Sequence, residues 1–183
     1  TGVFTKSLDI ALINGDIDIA VHSLKDVPTK LPEGVIQAAV LKRGNYNDVL
    51  ILKKDENFFE NEIATIATGS LRRKAQWLHR YPKHNITGLR GNVNTRLQKL
   101  KDNPWDGAIF ALAGLSRIKL LPNKDKHIKL DWMVPAPAQG AVMIAALEKN
   151  NNAVDVCKEL NDEETAISVV IERDFLRVLE AGC

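Results

Sequence analysis

Apolar residues at Phe4, Leu8, Ala11 and Leu12 recur at helical spacing, and Asn14-Gly15 supplies a stop, so the spacing predicts a helix over 3–13. Residues 17–21 alternate apolar and polar, as a strand does, and 22–28 read as a polar loop. Residues 35–41 and 48–52 are apolar runs of strand length, separated by the polar break Lys42-Arg43-Gly44-Asn45. A polar excursion covers 53–61. Two similar stretches follow. In the first, a buried strand at Ile66-Ala67 meets a Thr68-Gly69-Ser70 turn, and a helix runs to Tyr81, where Pro82 stops it. In the second, a strand meets the Arg90-Gly91-Asn92 turn and a helix carries Arg96. Residues 106–115 read as a strand entering a small-residue turn, 122–129 as a charged loop, and 132–141 as a return connection stiffened by Pro135 and Pro137. A strand at 142–147, a helix at 151–160 and a long helix from Asp162 complete the chain. The last helix carries acids in its first turn, as the helix dipole prefers, and an apolar face of Ile167, Val170, Ile171, Phe175 and Leu179.

The repeated strand–turn–helix layout sets the chemistry. Ser70 is a favourable N-cap, which places Arg72 and Arg73 in the first helical turn. Cations there oppose the dipole, so their placement points to a polyanionic guest met by backbone N–H groups, a hydroxyl and guanidinium forks. Adjacent strands of one sheet would bring Arg90 and Arg96 to the same edge as Arg72 and Arg73. Arginine in preference to lysine suits carboxylates or phosphates gripped in a bidentate way. The plain alternative is a set of solvated surface arginines. Arg117, just past the 106–115 segment, is either a fifth cation on that rim or the cap of a helix C-terminus.

A second polar set, His22, Ser23, Lys25 and Asp26, falls within five residues after a strand. A carboxylate held there can stabilise a developing cation or move protons. It can equally be a polar turn whose aspartate caps the next segment. Cys157 lies among Val154, Val156 and Leu160 and reads as a small buried hydrophobe. Cys183 follows a helix-terminating glycine, on a loop where a thiol is reachable.

Composition narrows the classes. The 183 residues are 45% hydrophobic and 26% charged with net charge +2, so any positive region is local. Aromatics at 5% are too sparse for a base-stacking surface, and no basic tail suggests nucleic acid. No apolar run reaches membrane-spanning length. Two cysteines without metal-type spacing point to neither a disulfide framework nor a metal site, and fit a reducing compartment.

Six segments, AVHSLKDVP (20–28), TGSLRR (68–73), LRGNVNTRL (89–97), AGLSR (113–117), PAPAQGA (135–141) and LEAGC (179–183), together resemble the porphobilinogen deaminase (hydroxymethylbilane synthase) family, in its order and spacing. The resemblance implies an α/β fold with two domains like type-II periplasmic binding proteins around a central cleft, plus the start of a small α+β third domain. Domain 1 would comprise 1–42 and 140–160, its N-terminal part lying outside this sequence. Domain 2 would comprise 45–135, and domain 3 would open at 163–183. The departures are Ala67-Thr68-Gly69 before Ser70, Ala181 before Gly182, and the 135–139 variant of the return segment; none removes a charged group.

The resemblance further implies a transferase of heme and porphyrin biosynthesis. It joins four porphobilinogen molecules head to tail, with loss of ammonia, into hydroxymethylbilane. A dipyrromethane cofactor, one per chain, would be bound through a thioether to Cys183. Asp26, with Lys25, would be catalytic, and Lys25, Asp26, Ser70, Arg72 and Arg73 would line the cofactor. Substrate would meet Arg72, Arg73, Arg90, Arg96, Arg117, His22, Ser23 and Phe4, while Gln139 and Gly140 match the inter-domain return. The implied protein is a cytoplasmic monomer with a small-molecule substrate and neither metal, nucleic-acid nor membrane partner. The competing reading is a non-catalytic binding protein that captures a small carboxylate or phosphate, which leaves Asp26 and Cys183 without a task.

Overall fold

The computed structural model describes residues 3–53 and 63–179; Cys183 and the greater part of the 53–61 excursion lie outside them, as does the side chain of Phe4. The chain divides into two compact units, Thr1–Tyr46 with Ala136–Cys183, and Asn47–Pro135.

The first unit is built on an antiparallel sheet of β1 (Ile19–Ser23), β2 (Val35–Leu41) and β8 (Val142–Leu147), in the order β1-β8-β2. Strand β8 is central: Ala20 pairs with Ala145 on one side, and Val40 with Met143 on the other. Helix α1 (Val3–Asn14) buries Leu12 against the sheet but leaves Leu8, Ile10 and Ile13 exposed, a narrower buried face than its apolar spacing suggests. Its core joins Leu12, Leu24, Val27, Val40, Met143 and Val169. Strand β1 begins two residues later than expected and extends through His22 and Ser23, which were assigned to a loop.

The second unit holds a mixed sheet with the order β5-β4-β6-β3-β7. Its strands are β3 (Asp48–Leu52), β4 (Thr65–Ala67), β5 (Asn85–Thr87), β6 (Gly107–Ala111) and β7 (His127–Leu130). Strand β4 runs parallel to β5 and β6, whereas β3 is antiparallel to β6 and β7. Every residue of β3 is buried. Side chains alternate across a strand, so Val49 and Ile51 enter one core and Leu50 and Leu52 the other. Helices α2 (Leu71–Arg80), α3 (Val93–Asp102) and α4 (Leu112–Arg117) supply further packing, with Trp77 of α2 fully enclosed. Strand β7 falls in the segment expected to be a charged loop. Only Leu130 of its four residues is buried, so its pairing with β3 rests on backbone hydrogen bonds that side-chain pattern does not signal.

Two helices close the chain, α5 (Asn151–Lys158) and α6 (Glu163–Val178). Asp162 caps α6 by accepting from the Thr165 N–H at 2.9 Å. The family resemblance makes 163–183 the start of a third domain; within this chain α6 clusters with the first unit, through buried Thr165 and Val169. Its apolar stripe faces away: Ile167, Val170, Ile171, Phe175 and Leu179 are all exposed.

Candidate functional site

In the second unit, parallel pairing of β4 with β5 places the 68–70 and 88–92 turns at the same sheet edge. Gly69 makes this approach possible. A Cβ there would stand 2.5 Å from the Leu89 carbonyl oxygen, while the Thr68 N–H donates to Thr87 O at 2.9 Å. Ser70 caps α2, its hydroxyl accepting from Arg73 N at 3.4 Å, and Asn92 caps α3 by accepting from Thr95 N at 2.8 Å.

The two N-terminal arginines of α2 converge on one carboxylate. Asp48 is fully buried at the start of β3. Its Oδ1 accepts from Arg73 Nη2 at 2.7 Å and Nε at 3.1 Å, and its Oδ2 accepts from Arg72 Nη2 at 2.6 Å. Arg73 also donates to Ile109 O at 3.1 Å and is itself buried. Arg72 donates to Val134 O and keeps a partly exposed guanidinium. Burial alone would raise the Asp48 carboxyl, but the charges and hydrogen bonds of Arg73 and then Arg72 outweigh it and hold it below the usual carboxylate range. Burial pulls Arg72 below its ordinary value, against the opposing pull of Asp48. Two cations on one anion leave a surplus positive charge, with Arg72 facing outward. Asp48 escapes a sequence reading because it opens an apolar strand; an acid at the head of a run buried on both faces is the only signal.

The remaining candidates are less alike than their motifs. Arg90 is exposed, and among the described residues its side chain makes no hydrogen bond or ion pair. Arg96 folds back on its own turn, Nε donating to Gly91 O at 2.6 Å. Arg117 is the last residue of α4, a full six-residue helix beyond the edge that carries the other turns.

In the first unit, His22 and Ser23 project to opposite faces of β1: His22 is buried and Ser23 exposed. Lys25 and Asp26 sit on a 3-10 turn (Leu24–Asp26) whose flanking residues Leu24 and Val27 are core side chains. Leu24 N donates to Ala141 O at 3.1 Å, and Asp26 is exposed. The return segment is firmly held. Arg43 grips Glu172 of α6 with two bonds of 2.5 and 2.9 Å and donates from Nε to Gln139 O at 3.0 Å, while Glu172 accepts from Ala138 N at 2.7 Å. Burial would raise the Glu172 carboxyl, but the bonds from Arg43 and Ala138 lower it below its usual value. Gly140 adopts φ +89°, and a Cβ there would lie 2.7 Å from Gly44 O. Among the described residues no cluster of three metal-ligating side chains occurs, and no helix is long and apolar enough to cross a membrane. Cys157 is a buried free thiol, as its apolar neighbours imply.

The sequence model described as "Porphobilinogen deaminase, dipyromethane cofactor binding domain" matches residues 1–155. The chain belongs to the porphobilinogen deaminase family. It is 43% identical to the porphobilinogen deaminase of Campylobacter hominis, over all of this chain and 60% of that protein. It is 42% identical to the chloroplastic porphobilinogen deaminase of Oryza sativa subsp. japonica, over all of this chain and 51% of that one. The probable porphobilinogen deaminase of Methanocaldococcus jannaschii is 42% identical, over all of this chain and 62% of that protein. The chain thus spans between half and two thirds of the length of these relatives. Among solved structures, a periplasmic binding protein from Brucella ovis superposes with a TM-score of 0.48 at 15% identity, covering 84% of this chain and 50% of that one. That likeness is too slight to bear on fold or function; the mixed α/β architecture stands on the strands and helices themselves.

Proposed function

We propose that the full-length protein is a hydroxymethylbilane synthase, a transferase that deaminates four porphobilinogen molecules and condenses them head to tail in porphyrin and heme biosynthesis. The observation that carries this reading is the match of residues 1–155 to the family's cofactor-binding domain. The cationic edge supports it. Each porphobilinogen brings two carboxylates, and Arg72, anchored on Asp48, presents a guanidinium edge in a partly buried setting where a bidentate carboxylate is held strongly.

In this reading Ser70, Arg72, Arg73, Lys25 and Asp26 hold the dipyrromethane, and Cys183 bears it through a thioether. The donor set fits: hydroxyl, N-terminal helix amides and guanidinium groups suit a group with several carboxylates. When bound, the dipyrromethane supplies the primer ring at which condensation begins. In the same reading substrate carboxylates are assigned to Arg72, Arg73, Arg90, Arg96 and Arg117, and His22, Ser23 and Phe4 are further substrate-binding residues. As the aminomethyl C–N bond of porphobilinogen breaks and ammonia leaves, positive charge spreads over the pyrrole. Asp26 accepts the pyrrole N–H and stabilises that charge, with Lys25 beside it on the same turn. Residues 163–183 would open a third domain in the longer chain, and the protein would act as a cytoplasmic monomer.

Intact mass and peptide mapping of the full-length protein test the reading first. Added mass of two linked pyrroles on Cys183, with ammonia released on feeding porphobilinogen, is expected. No adduct and no ammonia would overturn it.

A further inference from the structure

The turn that carries Lys25 and Asp26 is hydrogen-bonded to α6 through Arg173. Arg173 donates from Nη1 to Leu24 O at 3.2 Å and Val27 O at 3.0 Å, and from Nη2 to Pro28 O at 2.6 Å. These three carbonyls bracket Lys25 and Asp26 on both sides. Leu24 O also accepts from Val27 N at 3.2 Å, so the guanidinium closes over a turn already hydrogen-bonded to itself. The side chains of Leu24 and Val27 lie in the core with Val169, one helical turn before Arg173, so α6 packs against the flanks of the turn and Arg173 fixes its backbone. A planar fork with five donors can span three divergent carbonyls; a lysine ammonium on a flexible stem reaches them less well.

We propose that Arg173 is a positioning residue for Asp26: it holds the 24–28 backbone so that the exposed carboxylate stands at one fixed place. The proposal rests on the catalytic role of Asp26 given above. In this proposal Arg173 acts through the turn backbone that it holds. Its effect therefore falls on the chemical step and spares the binding of substrate carboxylates, which is assigned to arginines of the other unit.

Two measurements on the full-length, cofactor-loaded protein test this. Steady-state kinetics with porphobilinogen would compare the wild type, Arg173→Gln and Arg173→Lys. Arg173→Gln should lower kcat about 10- to 100-fold, the scale of a catalytic group displaced by about 1 Å, with KM nearly unchanged. Arg173→Lys should recover part of the loss. Hydrogen exchange would follow residues 22–30, where Arg173→Gln should speed exchange of the Val27 amide at least about tenfold and leave helix 71–80 unchanged. Wild-type kcat in Arg173→Gln, or a rise in KM alone, overturns the proposal, as does unchanged exchange at Val27. If Arg173→Gln does not fold, Arg173→Lys decides on the same two readouts. A wild-type protein that ignores porphobilinogen refutes the synthase reading separately, and the exchange result still tells whether Arg173 holds the turn.

Discussion

Replacing Asp48 by asparagine probes the centre of the cationic edge. The substitution keeps the shape of the side chain and one acceptor oxygen but removes the negative charge that Arg72 and Arg73 share. Arg73 is the exposed weakness in energetic terms, because its side chain is 7% accessible and the Asp48 side chain 0%. Breaking a buried ion pair by removing one partner costs about 3–5 kcal/mol, since the remaining charge stays desolvated. A second cation, Arg72, is stranded as well, though its 24% exposure lets water screen it. A loss of about 4 kcal/mol is therefore expected, a large share of the roughly 5–15 kcal/mol that holds a domain folded. All three tryptophans, Trp77, Trp105 and Trp132, lie in the 47–135 unit, so urea unfolding followed by their fluorescence reads this unit alone. With a slope of about 2 kcal/mol per molar, the midpoint should fall by roughly 2 M. The pH dependence gives a second reading. The folded carboxyl of Asp48 is depressed, so its contribution is fully present above the ordinary aspartate value of about 3.9 and is lost as pH falls through the lower folded value. Asp48→Asn should lack that acid-side loss. A midpoint change of less than about 0.5 M, with the acid limb of the wild type retained, would refute the reasoning.

Three further outcomes are expected. Gly69→Ala should force the 68–70 and 88–92 turns apart, because its Cβ would meet Leu89 O at 2.5 Å; about 1–3 kcal/mol of stability should be lost, checked by urea midpoint. Ser70→Ala removes the cap of α2 and should cost about 1 kcal/mol, measurable by thermal melting. Glu172→Gln weakens the partly exposed grip on Arg43 and should cost about 1–2 kcal/mol, with a double-mutant cycle against Arg43→Met showing strong coupling.

Much of the fold is written in local pattern. Strands 48–52 and 142–147 are continuous apolar runs and appear where the pattern puts them. Ser70 and Asp162 are capping residues that begin helices as their chemistry dictates. What was hidden depends on distant partners. Strand β7 has a charged, half-exposed sequence and exists because β3 offers an open edge. The arginine turn was legible, but its division of labour was not: neighbours in sequence, Arg73 is buried and committed to Asp48 and Ile109 O, while Arg72 stays partly open. That distinction comes from an aspartate 24 residues upstream of Arg72, brought alongside by strand order. The grip of Arg173 on the Asp26 turn spans nearly 150 residues and leaves no trace in spacing.

The position of β8 governs when each unit can form during synthesis. Among the described residues, strands β1 and β2 do not pair with each other; each pairs with β8. The whole 47–135 unit is translated between β2 and β8. At roughly 5–20 residues per second, about 100 residues of chain keep β1 and β2 waiting for some 5–20 s before their shared partner leaves the ribosome. The inserted unit is continuous in the chain, carries its own cores and suffers no such delay. The order of closure is therefore inverted relative to the order of translation: the unit holding β1 and β2 completes its sheet only after the unit inserted between β2 and β8 has been made, and those two strands are the stretch most in need of a chaperone meanwhile.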